Sequence, residues 1–323
     1  MGIALKAIYY TAYGSYDVLQ IKEVEKPVPK EDEVLIKVHA ASINSWDWGL
    51  VTGTPKIFRL FARRPKHNIL GCDVAGTIES VGSKVTKLKP GAQVYGDLCE
   101  NSFGSIAEYT CARENALEIK PTEMSFEEAA AIPQAGLLAL QSFLYKMKIK
   151  PGQTILINGA GGGVGSFGIQ IAKLYGAEVT GVDHPKKFAM MRSIGCDHVI
   201  DYTKVNFVKE GIKYDYILDV NTDRSIFSYL RALKPRGTYV TVGGHLGKLL
   251  LIFLLRPIVA LFTGKHLRLL PLKPNKNLDK LSTLYKEGKL KCIIDGPYKL
   301  EQGVDAFKAF SDSDFKGKIV ITI

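Results

Sequence analysis

The sequence predicts an α/β protein in which a doubly wound parallel sheet accompanies a compact, barrel-like β unit. Three observations lead there. The run Thr154-Ile-Leu-Ile-Asn-Gly-Ala-Gly-Gly-Gly-Val-Gly165 passes from an apolar strand through glycines into a helical period. After Pro151-Gly152, strand-like and helix-like stretches alternate strictly, the pattern of a parallel sheet. Before about Ala112 the chain is a series of short β-rich runs bounded by turn residues.

Taken in order, the early strands are Lys6–Tyr10, Leu19–Glu23, Glu33–His39, Gly76–Val81 and Gln93–Tyr95, with turns such as Pro29–Asp32 and Lys89–Gly91 between them. Ser125-Phe-Glu-Glu128 is a capping box that opens a helical region; Pro133 divides it and Ala135–Tyr145 continues it. Then come strand 154–159, helix 164–175, strand 178–182, helix 185–194, strand 198–201, strand 214–220, helix 223–233 and strand 238–242. The tail carries helices near 278–287 and 301–310 and a last strand 318–323. Leu249–Phe262 is the most apolar stretch, interrupted by Arg256-Pro257, and reads as two short helices over a cleft or against a partner subunit. A bilayer crossing needs ~20 apolar residues, so membrane-surface contact is the second choice.

Bulk properties narrow the class. With 323 residues there is room for two cores, and the composition is that of a globular protein. Five cysteines, none in a C-x-x-C pair, suggest reduced thiols rather than a disulfide or zinc framework. The N-terminus lacks a signal-peptide pattern, and cytoplasm is the expected location. The net charge of +11 is spread along the chain; its densest clusters are Arg63–His67 and Lys286–Lys291, and a solvated surface is favoured over nucleic-acid binding.

The glycine loop carries the chemistry. Gly161 and Gly163 let backbone approach a pyrophosphate, and the helix starting near Val164 aims free N–H groups and its positive end at the phosphates. A glycine-rich turn that merely packs is the alternative. Asp183, at the end of the next strand, sits where an acidic side chain bonds the ribose 2′-hydroxyl of NAD.

Further segments identify the chain as resembling the zinc-independent medium-chain dehydrogenase/reductases, the quinone-oxidoreductase-like branch. They are Asn44-Ser-Trp-Asp47, Leu70-Gly-Cys-Asp-Val-Ala-Gly76 with Val81-Gly82, Phe103–Tyr109, Ala129–Pro133 with Gly136–Ala139, the glycine loop, and Phe315–Val320. The resemblance covers nearly the whole length. It implies a GroES-like catalytic domain from residues 1–123 and 271–323 and a Rossmann domain from 124–270. In zinc-dependent members the catalytic ligands are Cys, His and Cys; by motif they fall here on Asn44, Cys72 and near Gln134, so no metal is expected.

The resemblance also suggests that Lys187 and Tyr202 hold a 2′-phosphate, with Lys186 and His184 nearby. Asp183 opposes this, but an Asp can turn away and two lysines with an imidazole make a phosphate site, so NADP(H) is favoured and NAD(H) is second. Asn44 is the candidate polar group near the reacting oxygen, and Trp46 and Trp48 with Gln134 the candidate substrate pocket. Gly243 and Gly244 are placed near the nicotinamide half, and Lys318 in a segment folding back onto the cofactor. Each has a plain packing alternative; for Asp47 and Cys72 that alternative is preferred. Tyr95 and His245 are loose candidates for a proton donor. The loops Gly53–Pro65 and Gly244–Gly264 are expected to line the pocket.

The activity implied is NAD(P)H-dependent reduction of a quinone or α,β-unsaturated carbonyl, with aldehyde or ketone reduction as the alternative. An RNA- or membrane-binding protein retaining a nucleotide pocket is the reading from another class. A homodimer is implied by the resemblance alone.

Overall fold

The structure is a computed structural model that describes residues 4–54, 64–100 and 103–323. Most of the loop Gly53–Pro65, including Arg63, lies outside the described residues. The chain forms two compact units: residues 1–137, 273–286 and 292–323, and residues 138–272 with 287–291.

The first unit begins with an antiparallel pair, β1 (Ala4–Tyr9) and β2 (Gln20–Glu25). Its main sheet starts with β3 (Glu33–Ser42), a central strand that buries Val34, Leu35, Ile36 and Val38 and then Ala40, Ala41 and Ser42. Helix α1 (Ser45–Thr52) follows, then β4 (Asp73–Val81), β5 (Gln93–Asp97), β6 (Tyr109–Arg113) and β7 (Glu118–Ile119). Helix α2 (Phe126–Ala131) starts as the capping box predicts: Glu128 N–H donates to Ser125 Oγ at 3.1 Å, and Ser125 N–H to Glu128 Oε2 at 3.0 Å. Pro133 opens α3 (Pro133–Lys146), where its missing N–H is no loss. The division between units falls inside α3, later than the 123/124 boundary read from the sequence. The reason is that α2 packs on β3 and β4, with Phe126 stacked on His39 at 4.2 Å.

The second unit contains β8 (Thr154–Asn158), α4 (Gly163–Leu174), β9 (Glu178–Asp183), α5 (Phe188–Ser193), β10 (His198–Asp201), β11 (Tyr214–Asp219), α6 (Ile226–Ala232), β12 (Leu233–Thr241), α7 (Leu246–Thr263) and β13 (His266–Leu269). All neighbours pair in parallel in the order β10-β9-β8-β11-β12-β13. That is the doubly wound dinucleotide-binding order, and the topological switch lies between β8 and β11. Helix α4 is buried from Gly165 to Ala172, and its residues there are small or apolar except Gln170, whose amide bonds the Ser166 carbonyl and the Lys291 backbone.

Here the structure corrects one expectation. Residues 246–263 form a single helix with Pro257 inside it, rather than two helices or an open loop. Pro257 removes one N–H from the ladder, but the helix connects two neighbouring strands and Ile252 and Val259 anchor it in the unit's core.

The chain then returns to the first unit with α8 (Leu278–Lys286), β14 (Ile294–Lys299), α9 (Gly303–Ser311) and β15 (Lys318–Thr322). Strand β15 lies antiparallel to β3, and β3 antiparallel to β4. Ser42 faces both Val320 and Asp73 in register, so three strand ends meet just before α1.

Candidate active site

The cradle of the second unit is built at the carboxyl end of β8. Gly159 turns there with φ of 84°, and Gly162 caps α4 without a side chain over the first turn. The N–H groups of Gly163, Val164 and the next residue therefore point out of the helix start, where an anionic group is stabilised by the helix dipole. A Cβ on Gly161 would lie 2.6 Å from Lys187 Cδ and 3.1 Å from Asp183 Oδ2. Gly161 thus lies between β8 and α4 with Asp183 and Lys187 packed against it.

Asp183 does something further. It is buried, and its Oδ2 accepts the Gly161 N–H at 2.8 Å. Its Oδ1 accepts the His184 N–H at 2.8 Å and lies 3.3 Å from Lys187 Nζ, in an ion pair that is also buried. Asp183 is thus turned into the loop and compensated on both oxygens. Lys187 is engaged with Asp183, while Lys186 is exposed and Tyr202 stands 46% exposed, its ring 6.4 Å from that of His184. Gly243 and Gly244 follow β12; Gly244 has φ of 131°, and Thr241 Oγ1 donates to the Gly243 carbonyl at 2.7 Å.

Sequence reasoning missed the buried carboxylate at the switch point. Asp219 closes β11 directly beside Asn158 and accepts from Asn158 Nδ2 at 2.9 Å and from Tyr239 OH at 2.6 Å. Lys248 Nζ lies 3.3 Å away. The signal available was two polar residues, each ending an apolar strand.

In the first unit the strand ends assemble a second cluster. Asp73 is fully buried; its Oδ2 accepts from Ser42 Oγ at 2.9 Å and Asn44 Nδ2 at 2.9 Å, and its Oδ1 from the Gln134 N–H at 3.0 Å. Lys318 Nζ donates to Asn44 Oδ1 at 2.5 Å and the Ile43 carbonyl at 3.1 Å, and lies 3.3 Å from Asp73 Oδ2. Asp47 accepts the N–H groups of Asn44 at 2.8 Å and Gly71 at 2.9 Å, with Cys72 Sγ at 3.6 Å. Asn44, Gln134 and Lys318 are therefore gathered around Asp73, which the sequence reading left out. Lys318 is buried, and its ammonium is spent inside this cluster.

The tryptophans separate. Two positions apart on α1 they cannot share a face: Trp46 is 58% exposed, whereas Trp48 packs on the unit's core with Phe310 at 6.5 Å. Trp48 is a core aromatic rather than a partner of Trp46 in one platform. Tyr95 is also withdrawn: it is fully buried and bonded to Ser282 Oγ at 2.5 Å, and burial pushes its phenol well above the usual range.

Three carboxyls and one ammonium share this interior. Burial, with Asp73 nearby, raises Asp47 to about 7. Asp97 pairs directly opposite Asp73 in the β4–β5 ladder; burial and that carboxylate raise it to about 6. The folded chain thus keeps a proton that the unfolded chain loses from about pH 4 upward. The contribution of Asp97 to stability is largest below pH 3.8 and declines as pH rises toward 6. Asp97→Asn keeps an oxygen for the Cys99 N–H, which now donates at 2.9 Å. It is expected to gain on the parent between pH 4 and 6, read as urea midpoints; equal midpoint shifts across that range would refute the assignment.

Comparison with known proteins follows these units. An "Alcohol dehydrogenase GroES-like domain" profile matches residues 30–122, and a "Zinc-binding dehydrogenase" profile residues 194–321. The "2-methylene-furan-3-one reductase" of Solanum lycopersicum is 36% identical, over 98% of this chain and 79% of its own. The chain belongs to the medium-chain dehydrogenase/reductase superfamily, in its quinone-oxidoreductase-like branch. The "NADPH-dependent alkenal/one oxidoreductase, chloroplastic" of Arabidopsis thaliana is 33% identical over 98% of this chain and 79% of that protein. The solved "quinone oxidoreductase from Coxiella burnetii" superposes with a TM-score of 0.87 at 26% identity, covering 99% of this chain and 100% of that one. As a member of this family the chain is an oxidoreductase whose fold binds a nicotinamide nucleotide.

One family name invokes zinc, and the donors here do not fit it. Asn44 Oδ1 is taken by an ammonium, Cys72 is buried with its thiol pushed well up by burial and neighbouring carboxylates, and Gln134 offers an amide. Zinc prefers thiolate, imidazole or carboxylate ligands. Among the described residues no group of three or more His, Cys, Asp or Glu is arranged to hold a metal.

Proposed function

We propose that this chain is an NADPH-dependent reductase of α,β-unsaturated carbonyls and quinones that works without zinc. The observation that carries this reading is the ammonium of Lys318 standing among the residues that match the zinc ligands of related enzymes. That ammonium is already paired with Asp73 and Asn44, and it is a weaker aid to alcohol ionisation than the zinc of those enzymes. Conjugated acceptors spread developing charge onto a distant oxygen and make the smaller demand.

When bound, the nicotinamide supplies a hydride from C4. The chain's own work is to hold and orient. Gly161, Gly163 and Val164 cradle the pyrophosphate, and Gly243 and Gly244 leave room beside the nicotinamide half. Asp183, compensated by Lys187 and two N–H groups, repels a 2′-phosphate less than a free carboxylate would. His184, Lys186 and Tyr202 at the same strand end supply donors to that phosphate. Asn44 Nδ2 gives one hydrogen to Asp73 and has a second for the substrate oxygen. Exposed Trp46 offers a flat apolar face to a ring.

The name of the Arabidopsis relative supports both the cofactor and the enone class. That relative's chloroplast name lends no support to the cytoplasmic location expected from the sequence. A homodimer, implied by the family resemblance, belongs to the proposal; light scattering on a sizing column would show twice the chain mass.

Steady-state oxidation of NADPH and NADH against an enone, a small quinone and a saturated aldehyde tests the function. The expected result is turnover of the first two acceptors, at least tenfold better with NADPH than NADH. Activity confined to the aldehyde would overturn it.

A further inference from the structure

The outer side of helix α7 carries none of the residues assigned above to the nucleotide or to the substrate. Leu250, Phe253, Leu254, Ile258, Leu261 and Phe262 recur at helical spacing along its outer side, each at least 53% exposed; Phe253 reaches 75% and Phe262 79%. The opposite side places Ile252 and Val259 in the core of the second unit. The helix has 18 residues with a mean hydropathy of 2.0, and only 11% of them are buried. Isolated exposed leucines need no explanation, but a continuous apolar stripe of this length marks an interaction surface.

The charge around it indicates what covers it. From Arg224 to Leu272 the chain holds eight Lys or Arg and no Asp or Glu. Beside the stripe, between α7 and the edge strand β13, lies a cleft of about 210 Å³ lined by Arg256, Pro257, Ala260, His266, Leu267 and Arg268. Arg268 Nε is buried there without a hydrogen-bond partner. Two guanidiniums and an imidazole around one cleft match a phosphate. Two copies meeting symmetrically on this face would set like charges against each other. An anionic bilayer instead offers phosphates to the cleft and acyl chains to the stripe.

Spanning the bilayer is ruled out by the sheet. α7 connects β12 and β13, which are paired in parallel with Thr238 opposite His266, so both helix ends belong to one sheet. A helix held this way and anchored by Ile252 and Val259 lies in the plane of an interface.

We propose that α7 is a monotopic membrane-surface contact, with its apolar stripe in the headgroup–acyl boundary and the Arg256–Arg268 cleft on a lipid phosphate. Sedimentation of the full-length protein with phosphatidylcholine vesicles, with and without phosphatidylglycerol, tests it. The parent is expected to bind the anionic vesicles, and to lose most of that binding in high salt. Phe253→Glu/Phe262→Glu is expected to weaken binding by roughly tenfold or more. Arg256→Gln is expected to weaken it by about fivefold. Both variants should keep the parent's melting temperature and its turnover of a soluble enone. Failure of the parent to bind anionic vesicles, or binding unchanged in both variants, overturns the proposal. A parent dimer that the Phe253/Phe262 variant splits, with no vesicle binding, would also overturn it and assign the face to a second copy.

Discussion

Gly165→Ala is expected to abolish useful nucleotide binding, raising the dissociation constant for NADPH on the order of 100-fold. The cause is local. A Cβ at this position would fall on the Gly159 carbonyl oxygen and within 2.6 Å of Ala160 Cα, both backbone atoms that no rotamer change can clear. To make room, α4 must move off the turn after β8, and the first N–H groups of α4, which we propose hold the pyrophosphate, move with it. Overpacking of this kind also destabilises by ~1–3 kcal/mol. Calorimetric titration with NADPH, beside a urea melt, separates the two effects. An affinity within threefold of the parent would mean that the cradle is elsewhere.

Lys318→Met is expected to be the most damaging single change in the first unit. Its ammonium and the Asp73 carboxylate are 4% and 0% exposed, so solvent does little to screen them. Removing one member of a buried pair leaves the other uncompensated, at a cost of about 3–5 kcal/mol. Here the stranded carboxylate also faces Asp97 across the ladder and has Asp47 as a neighbour. Asn44 loses the contact on its Oδ1, so kcat/KM for the enone should fall together with stability. Lys318→Met/Asp73→Asn is expected to recover part of the loss, because the uncompensated charge is gone; the two changes are coupled rather than additive. Strict additivity in urea melts would show that the pair does not act as a unit.

The second unit was largely legible because each of its signals is local. The glycine loop, the alternation of strands and helices and the acidic end of β9 all lie within short windows. Strand β13 escaped because its four residues, His266-Leu-Arg-Leu269, alternate over too short a window between Gly264 and Pro271 to signal a strand by themselves. Pro257 was read as a break, but the core contacts of Ile252 and Val259 hold the helix through it.

The first unit was harder, since its cluster depends on pairings the sequence does not display. Lys318 and Asp73 are 245 positions apart and meet only because β15 and β4 flank β3. Asp183 was read correctly as lying at the end of β9. That its carboxylate turns into the glycine loop follows from Gly161 N–H and Lys187 both lying within its reach.

The central claim is hydride delivery to a conjugated acceptor without metal assistance. Its most direct measurement uses NADPH carrying deuterium at C4, on the transferred face, with a cyclic enone as acceptor. Mass and NMR spectra of the product locate the label. The account predicts a saturated ketone labelled at the β-carbon, undiminished by prior treatment of the enzyme with a zinc chelator. Label on the carbonyl carbon of an allylic alcohol, or transfer that stops on chelation and returns with zinc, would contradict it.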